Sequence, residues 1–128
     1  MDRNIQVSVR DGIVRTVIKG EVGQSRSSHA IELAANTAAK AHTRLLLFDI
    51  THAVYRNYHA PAIEQARTAS RTGIVNCRIA ILGKPGDPKL PYFENVAVNR
   101  GLRARAFTLE TDAVQWLQSA AAKASERG

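Results

Sequence analysis

The sequence predicts an α/β fold: a mixed, mainly parallel five-stranded sheet with four helices, in the order β-β-α-β-α-β-α-β-α. Three observations carry that expectation. Ile5, Val7 and Val9 alternate with polar residues, Asp11-Gly12 follows, and Ile13, Val14, Val17 and Ile18 return. Asp-Gly between apolar stretches is a strong hairpin signal, because both residues tolerate positive φ. Leu45–Ile50 and Cys77–Leu82 are near-continuous apolar runs of strand length, as in strands covered on both faces. Apolar residues spaced by three and four recur between and after these runs, the pattern of a helix with one buried face.

The elements follow in order. After the hairpin, Glu21–Ser27 reads as a polar loop. From Ser28 a stripe of Ile31, Ala34, Ala35, Ala38 and Ala41 predicts the first helix, and its small side chains allow close packing on a sheet. Leu45–Ile50 is the third strand, and residues 51–60 form a longer connection. Pro61 suits the first position of a second helix, where its missing N–H costs nothing, and Gly73 closes it. Cys77–Leu82 is the fourth strand, and Lys84–Leu90 a rigid turn rich in proline and glycine. A third helix opens at Pro91 and ends at Gly101. Arg103–Phe107 alternates as a less buried strand. Thr108 is the expected N-cap of the last helix, with Glu110 and Asp112 in the first turn, where the helix dipole favours acids. Ala113, Trp116 and Leu117 lie on its inner face, and the last eight or so residues are expected to fray.

Composition narrows the function classes. A chain of 128 residues with 45% hydrophobic and 5% aromatic residues forms one domain, 1–128, with an aliphatic core. Cys77 is the sole cysteine, so no internal disulfide exists, and its apolar setting marks a buried small hydrophobe. Met1-Asp-Arg-Asn4 leads into no apolar stretch, so no signal peptide is expected; no apolar run has the length of a membrane span. A cytoplasmic location follows as the expectation. The net charge is +7, with 13 arginines among 18 basic residues. They are scattered from Arg3 to Arg127 with no run of four, so a solvated basic surface is expected, not a nucleic-acid site.

The last third carries a family resemblance. Arg78-Ile-Ala-Ile-Leu-Gly83, Phe93-Glu-Asn-Val-Ala-Val-Asn-Arg-Gly101, Arg105-Ala-Phe-Thr108 and Ala113-Val-Gln-Trp-Leu117, with Leu45–Ile50 as third strand, resemble the STAS domain family. The likeness is to its SpoIIAA-like, or STAS/SEC14-like, bacterial branch. It implies a SpoIIAA-like fold and a non-enzymatic regulatory or protein-interaction module, with a protein partner and a homodimer as its expected assemblies. Antagonist members carry a phosphorylated serine in an Asp-Ser-Ser-Gly type motif near the start of the second helix. The matching region here, Tyr55–Ala60, holds no serine, threonine or aspartate, so the phospho-switch is not carried over.

Ligands of open α/β sheets bind beyond the carboxyl ends of the parallel strands. That rim is expected to collect Asp49, Thr51, His52, Tyr55, Arg56, Asn57, Tyr58 and His59, with Lys84, Asp87 and Lys89 from the next turn. Two of three tyrosines and two of four histidines fall within residues 52–59. The expected ligand- or partner-binding residues are therefore Tyr55, Arg56, Asn57, Tyr58 and His59, with Asp49, His52 and Lys84 as accessories. Arg56 and the helix start near Pro61 suit an anion, which makes a small anionic or amphiphilic ligand the alternative to a protein partner. No catalytic residue, metal site or cofactor is expected. The histidine and carboxylate spacing fits no standard metal site, and no Ser or Cys nucleophile stands beside a histidine base. Lys84-Pro-Gly-Asp-Pro-Lys89 lacks the glycine-lysine-hydroxyl order and the N–H donors of a phosphate loop.

Overall fold

The computed structural model describes residues 4–56, 67–68 and 71–127. Its elements are β1 (Ile5–Arg10), β2 (Ile13–Glu21), α1 (Gln24–Ala41), β3 (Leu45–Val54), a 3₁₀ turn (Ile74–Asn76), β4 (Arg78–Leu82), α2 (Lys89–Asn99), β5 (Arg103–Phe107) and α3 (Glu110–Arg127). One five-stranded sheet runs in the order β1-β2-β3-β4-β5. β1 and β2 are antiparallel, and every later pair is parallel. Three α-helices are complete among the described residues. The fourth expected helix, Pro61–Gly73, lies mostly outside them, with Arg67, Thr68 and Arg71 helical.

The hairpin forms for the reason its sequence gives. Asp11 and Gly12 sit at φ 54° and 75°, and Arg10 pairs with Ile13 across them. Such a turn twists with the strands it joins. The start of α1 departs from expectation: the helix begins at Gln24, not Ser28, with Gly23 before it and no side-chain cap. Its first turn is polar, so the apolar stripe does not extend to it. α2 begins at Lys89, two residues before Pro91. α3 begins at Glu110, so Leu109, not Thr108, precedes it.

β3 is the main correction. It continues to Val54, four residues beyond the expected end, so Thr51 and His52 lie on a strand and not in a loop. Val17 pairs with Asp49 and Lys19 with His52, so between these pairs Ile18 of β2 faces two residues of β3, Ile50 and Thr51. This β-bulge breaks the alternation of faces. Leu46, Phe48 and Ile50 pack on one face before it, and Ala53 and Tyr55 rejoin that same face after it. Unbroken alternation would have sent Tyr55 to the other side.

The sheet has two unequal cores. On one face Ile5, Val14, Ile18, Leu46, Phe48, Ile50 and Ile79 pack against Ile31, Ala34 and Ala38 of α1 and Leu90, Phe93 and Ala97 of α2. On the other face Ile13, Leu45, Leu47, Ala80 and Leu82 pack against Ala113 and Leu117 of α3. Arg15 of β2 reaches Glu110 in the first turn of α3 as an ion pair. Thr16 is fully buried at 0% exposure, and among the described residues its hydroxyl has no hydrogen-bond partner. A buried hydroxyl without a partner carries an uncompensated desolvation cost. Thr16→Val is therefore expected to stabilise the fold by about 1 kcal/mol, read as a higher denaturation midpoint with an unchanged slope.

Candidate functional site

A cavity of about 70 Å³ lies between the sheet and the α1/α2 layer. A space of roughly 10–15 Å³ admits a water, but water needs two to four polar partners. The described wall gives few. Its floor is Ile18, Phe48, Ile50, Ile79, Ile81 and Ala104 of the sheet, and its sides include Ile31 of α1 with Phe93 and Ala97 of α2. Tyr55 and Ser27 bring the hydroxyls. Such a lining favours an apolar occupant.

Local sequence builds each wall. The three sheet isoleucines at 50, 79 and 81, with Phe48, point to one face because alternate residues of a strand do. Ala97 follows Phe93 by four residues on α2, so both face the sheet. The bulge in β3 turns Tyr55 inward, where it is 8% exposed. Its ring meets that of Phe93 edge-on, with centroids 5.1 Å apart, a favoured aromatic geometry.

The expected site residues part company here. Tyr55 enters the cavity wall. Arg56, next in sequence, stays exposed and pairs with Glu21 at the end of β2, at 2.5 Å. Asp49 lies on the α3 face with Leu45 and Leu47, and its carboxylate accepts the Thr51 backbone N–H at 3.0 Å. His52, the neighbour of inward-facing Ala53, is exposed on that same side. The sheet therefore separates Asp49 and His52 from Tyr55. Lys84 is exposed beyond β4. Asn57, Tyr58 and His59, and Pro61 with the anion-binding helix start placed there, lie outside the described residues. Among the described residues no three His, Cys, Asp or Glu side chains converge as metal ligands, and no helix is long and apolar enough to cross a membrane.

Two titratable groups nearby are held by their surroundings. Burial pushes the Cys77 thiol up, against a smaller opposing pull from the Arg44 charge, which keeps it a protonated, unreactive core residue. Burial alone would raise the Asp87 carboxyl. Hydrogen bonds from the Lys89 side chain and backbone, with the charges of Lys89 and Lys84, outweigh it and hold Asp87 below its ordinary value of 3.8. The carboxylate accepts the Lys89 N–H at 3.0 Å and pairs with its ammonium at 2.8 Å, closing the first turn of α2. A depressed carboxyl contributes stability above its unfolded pKa and loses it as pH falls through the folded one. Asp87→Asn is therefore expected to lower stability at pH 7 but much less once the pH has fallen through the depressed folded pKa, so its acid-unfolding curve should be flatter than that of the parent.

The residues that sequence reading missed are the cavity walls themselves. Ile31, Phe48, Ile50, Ile79, Phe93 and Ala97 all lie on stripes read as core. Periodicity reports which face is buried and not whether the opposed faces fill the space between them. The sole hint is the alanine content of the helix stripes.

Comparison with known proteins gives a fold. No family model and no curated protein matches the chain. Among solved structures it is similar to an uncharacterized protein from the DUF3478 family with a SpoIIAA-like fold, from Shewanella loihica PV-4. The identity is 21% and the TM-score 0.60, over 88% of this chain and 91% of that one. The likeness establishes a SpoIIAA-like fold for this chain, in agreement with the sequence resemblance.

Proposed function

We propose, from the SpoIIAA-like fold as premise, that this chain is a non-enzymatic STAS-like binding module whose ligand is a small amphiphile. The apolar part of the ligand occupies the cavity beside Tyr55, and its anionic head lies at the rim by Arg56. The observation that carries this reading is the cavity: a largely apolar wall, partly open to solvent, with Tyr55 set into it by a strand bulge. Arg56 supplies the charge. Its exposed pair with Glu21 is of a kind worth at most about 1 kcal/mol, so a carboxylate or phosphate head displaces Glu21 at small cost, and the guanidinium fork suits such heads. A role through a protein partner or a homodimer rests on the STAS resemblance alone.

The reading is tested by titrating decanoate into isotopically labelled protein and following methyl resonances. Ile31, Ile50, Ile74 and Ile79 should shift together and saturably, while Leu47 and Leu117 on the opposite face stay still. Decanol should bind more weakly than decanoate, and Arg56→Ala should erase that difference. Absence of saturable shifts at the four isoleucines would overturn the reading.

A further inference from the structure

The α3 face of β4 and β5 gathers three arginines that are far apart in sequence. Arg78 is in register with Arg103, and Arg105 stands two residues along β5. All three point away from the cavity, because their strand neighbours Ile79, Ala104 and Ala106 pack on the cavity side of the sheet. The Arg78 guanidinium lies 5.4 Å from the centre of the Trp116 ring, and that of Arg105 lies 5.5 Å from Phe107. The two rings are themselves 5.6 Å apart. Among the described residues no carboxylate pairs with any of the three arginines.

We propose that this arginine–aromatic patch binds single-stranded nucleic acid through its phosphodiester backbone. Guanidinium forks grip phosphate oxygens in pairs. The rings against Arg78 and Arg105 restrict those guanidinium groups, which reduces the ordering cost on binding, and a guanidinium plane offers bases a face to stack on. Arg103 and Arg105 are about 6.6 Å apart along β5, with Arg78 about 5 Å to the side, a spacing that suits successive phosphates of one strand. The patch is two β-strands wide, and α3 beside it is packed on the sheet through Ala113 and Leu117, so it is not free to enter a duplex groove.

An acidic peptide added as a sixth strand fits less well. The outward backbone N–H of Ala106, on the free edge of β5, already donates to the Glu94 carboxylate at 2.5 Å. Blocking a free edge with a charged group is a usual defence against strand addition. A membrane surface also fits less well, because Phe107 and Trp116 are half-buried and packed against the core of this face.

The test is fluorescence anisotropy with labelled RNA and DNA oligonucleotides of about ten nucleotides, at about 50 mM salt and upward. Three phosphate contacts predict a log–log salt slope of about −2 on a single strand. Arg103→Glu with Arg105→Glu should weaken binding by about tenfold or more with the fold intact by circular dichroism. Arg10→Glu with Lys19→Glu, an equal charge change at exposed positions of β1 and β2, should weaken it by no more than about twofold, the effect of net charge alone. No saturable binding of either oligonucleotide would overturn the proposal. So would equal losses in the two double variants, or binding to phosphatidylserine vesicles without binding to oligonucleotides.

Discussion

Leu117→Ala is expected to lower the unfolding free energy by about 3–4 kcal/mol. Leu117 is 0% exposed, and with Ala113 it supplies the buried contacts of α3 to Ile13, Leu45, Leu47, Ala80 and Leu82. Truncating a fully buried leucine loses the transfer free energy of its methyl groups and leaves a void, together about 2–5 kcal/mol. The lower end of that range does not apply, because the strands beneath this small core are fixed by the larger core behind and collapse little into the void. Against a total stability of about 5–15 kcal/mol, such a loss is large. It is measured as the shift in denaturant midpoint at constant slope. A change below about 1 kcal/mol would mean that α3 does not depend on this anchor.

Ala97→Phe is expected to abolish amphiphile binding while leaving the fold intact. Ala97 sits on α2 at the cavity wall and is 8% exposed. A phenyl group there projects into space that is already empty, so the usual overpacking cost of about 1–3 kcal/mol is offset by new contacts with Ile79, Ile81 and Leu102. Stability should stay within about 1 kcal/mol of the parent. Decanoate affinity should fall by more than about tenfold, since the phenyl and the apolar tail compete for the same volume. Ile31→Phe intrudes from the α1 side and serves as a second variant. Retained binding in both well-folded variants would place the ligand elsewhere.

Much of the architecture was legible in the chain because local physics and global fold agree. Asp11-Gly12 dictates its own turn, and the runs at Leu45–Ile50 and Arg78–Leu82 are buried on both faces, as their lack of alternation implies. The parallel pairing of those two runs, on which the sheet order depends, followed from the helical stripes around them. The candidate site was legible only in part. Tyr55 and Arg56 were singled out as candidates through the enrichment of tyrosine and histidine in one segment. Their divergence, one inward and one outward, depends on a bulge at Asp49–His52, which no residue there announces. The cavity depends on the fit between opposed apolar faces, a tertiary quantity. The pairing of Arg78 with Arg103 was hidden for the same reason, since 25 residues separate two side chains that strand register makes neighbours. Register is set by whole faces and not by the residues it brings together.

The central claim is that the space beside Tyr55 is dry and open to an apolar guest. A crystal of the protein pressurised with xenon tests it most directly, because xenon enters apolar cavities and carries no headgroup preference. The expected result is one strong xenon peak bounded by Phe48, Tyr55, Ile79 and Phe93, absent from crystals of Ala97→Phe. Ordered water in that space, with no xenon peak, would contradict it.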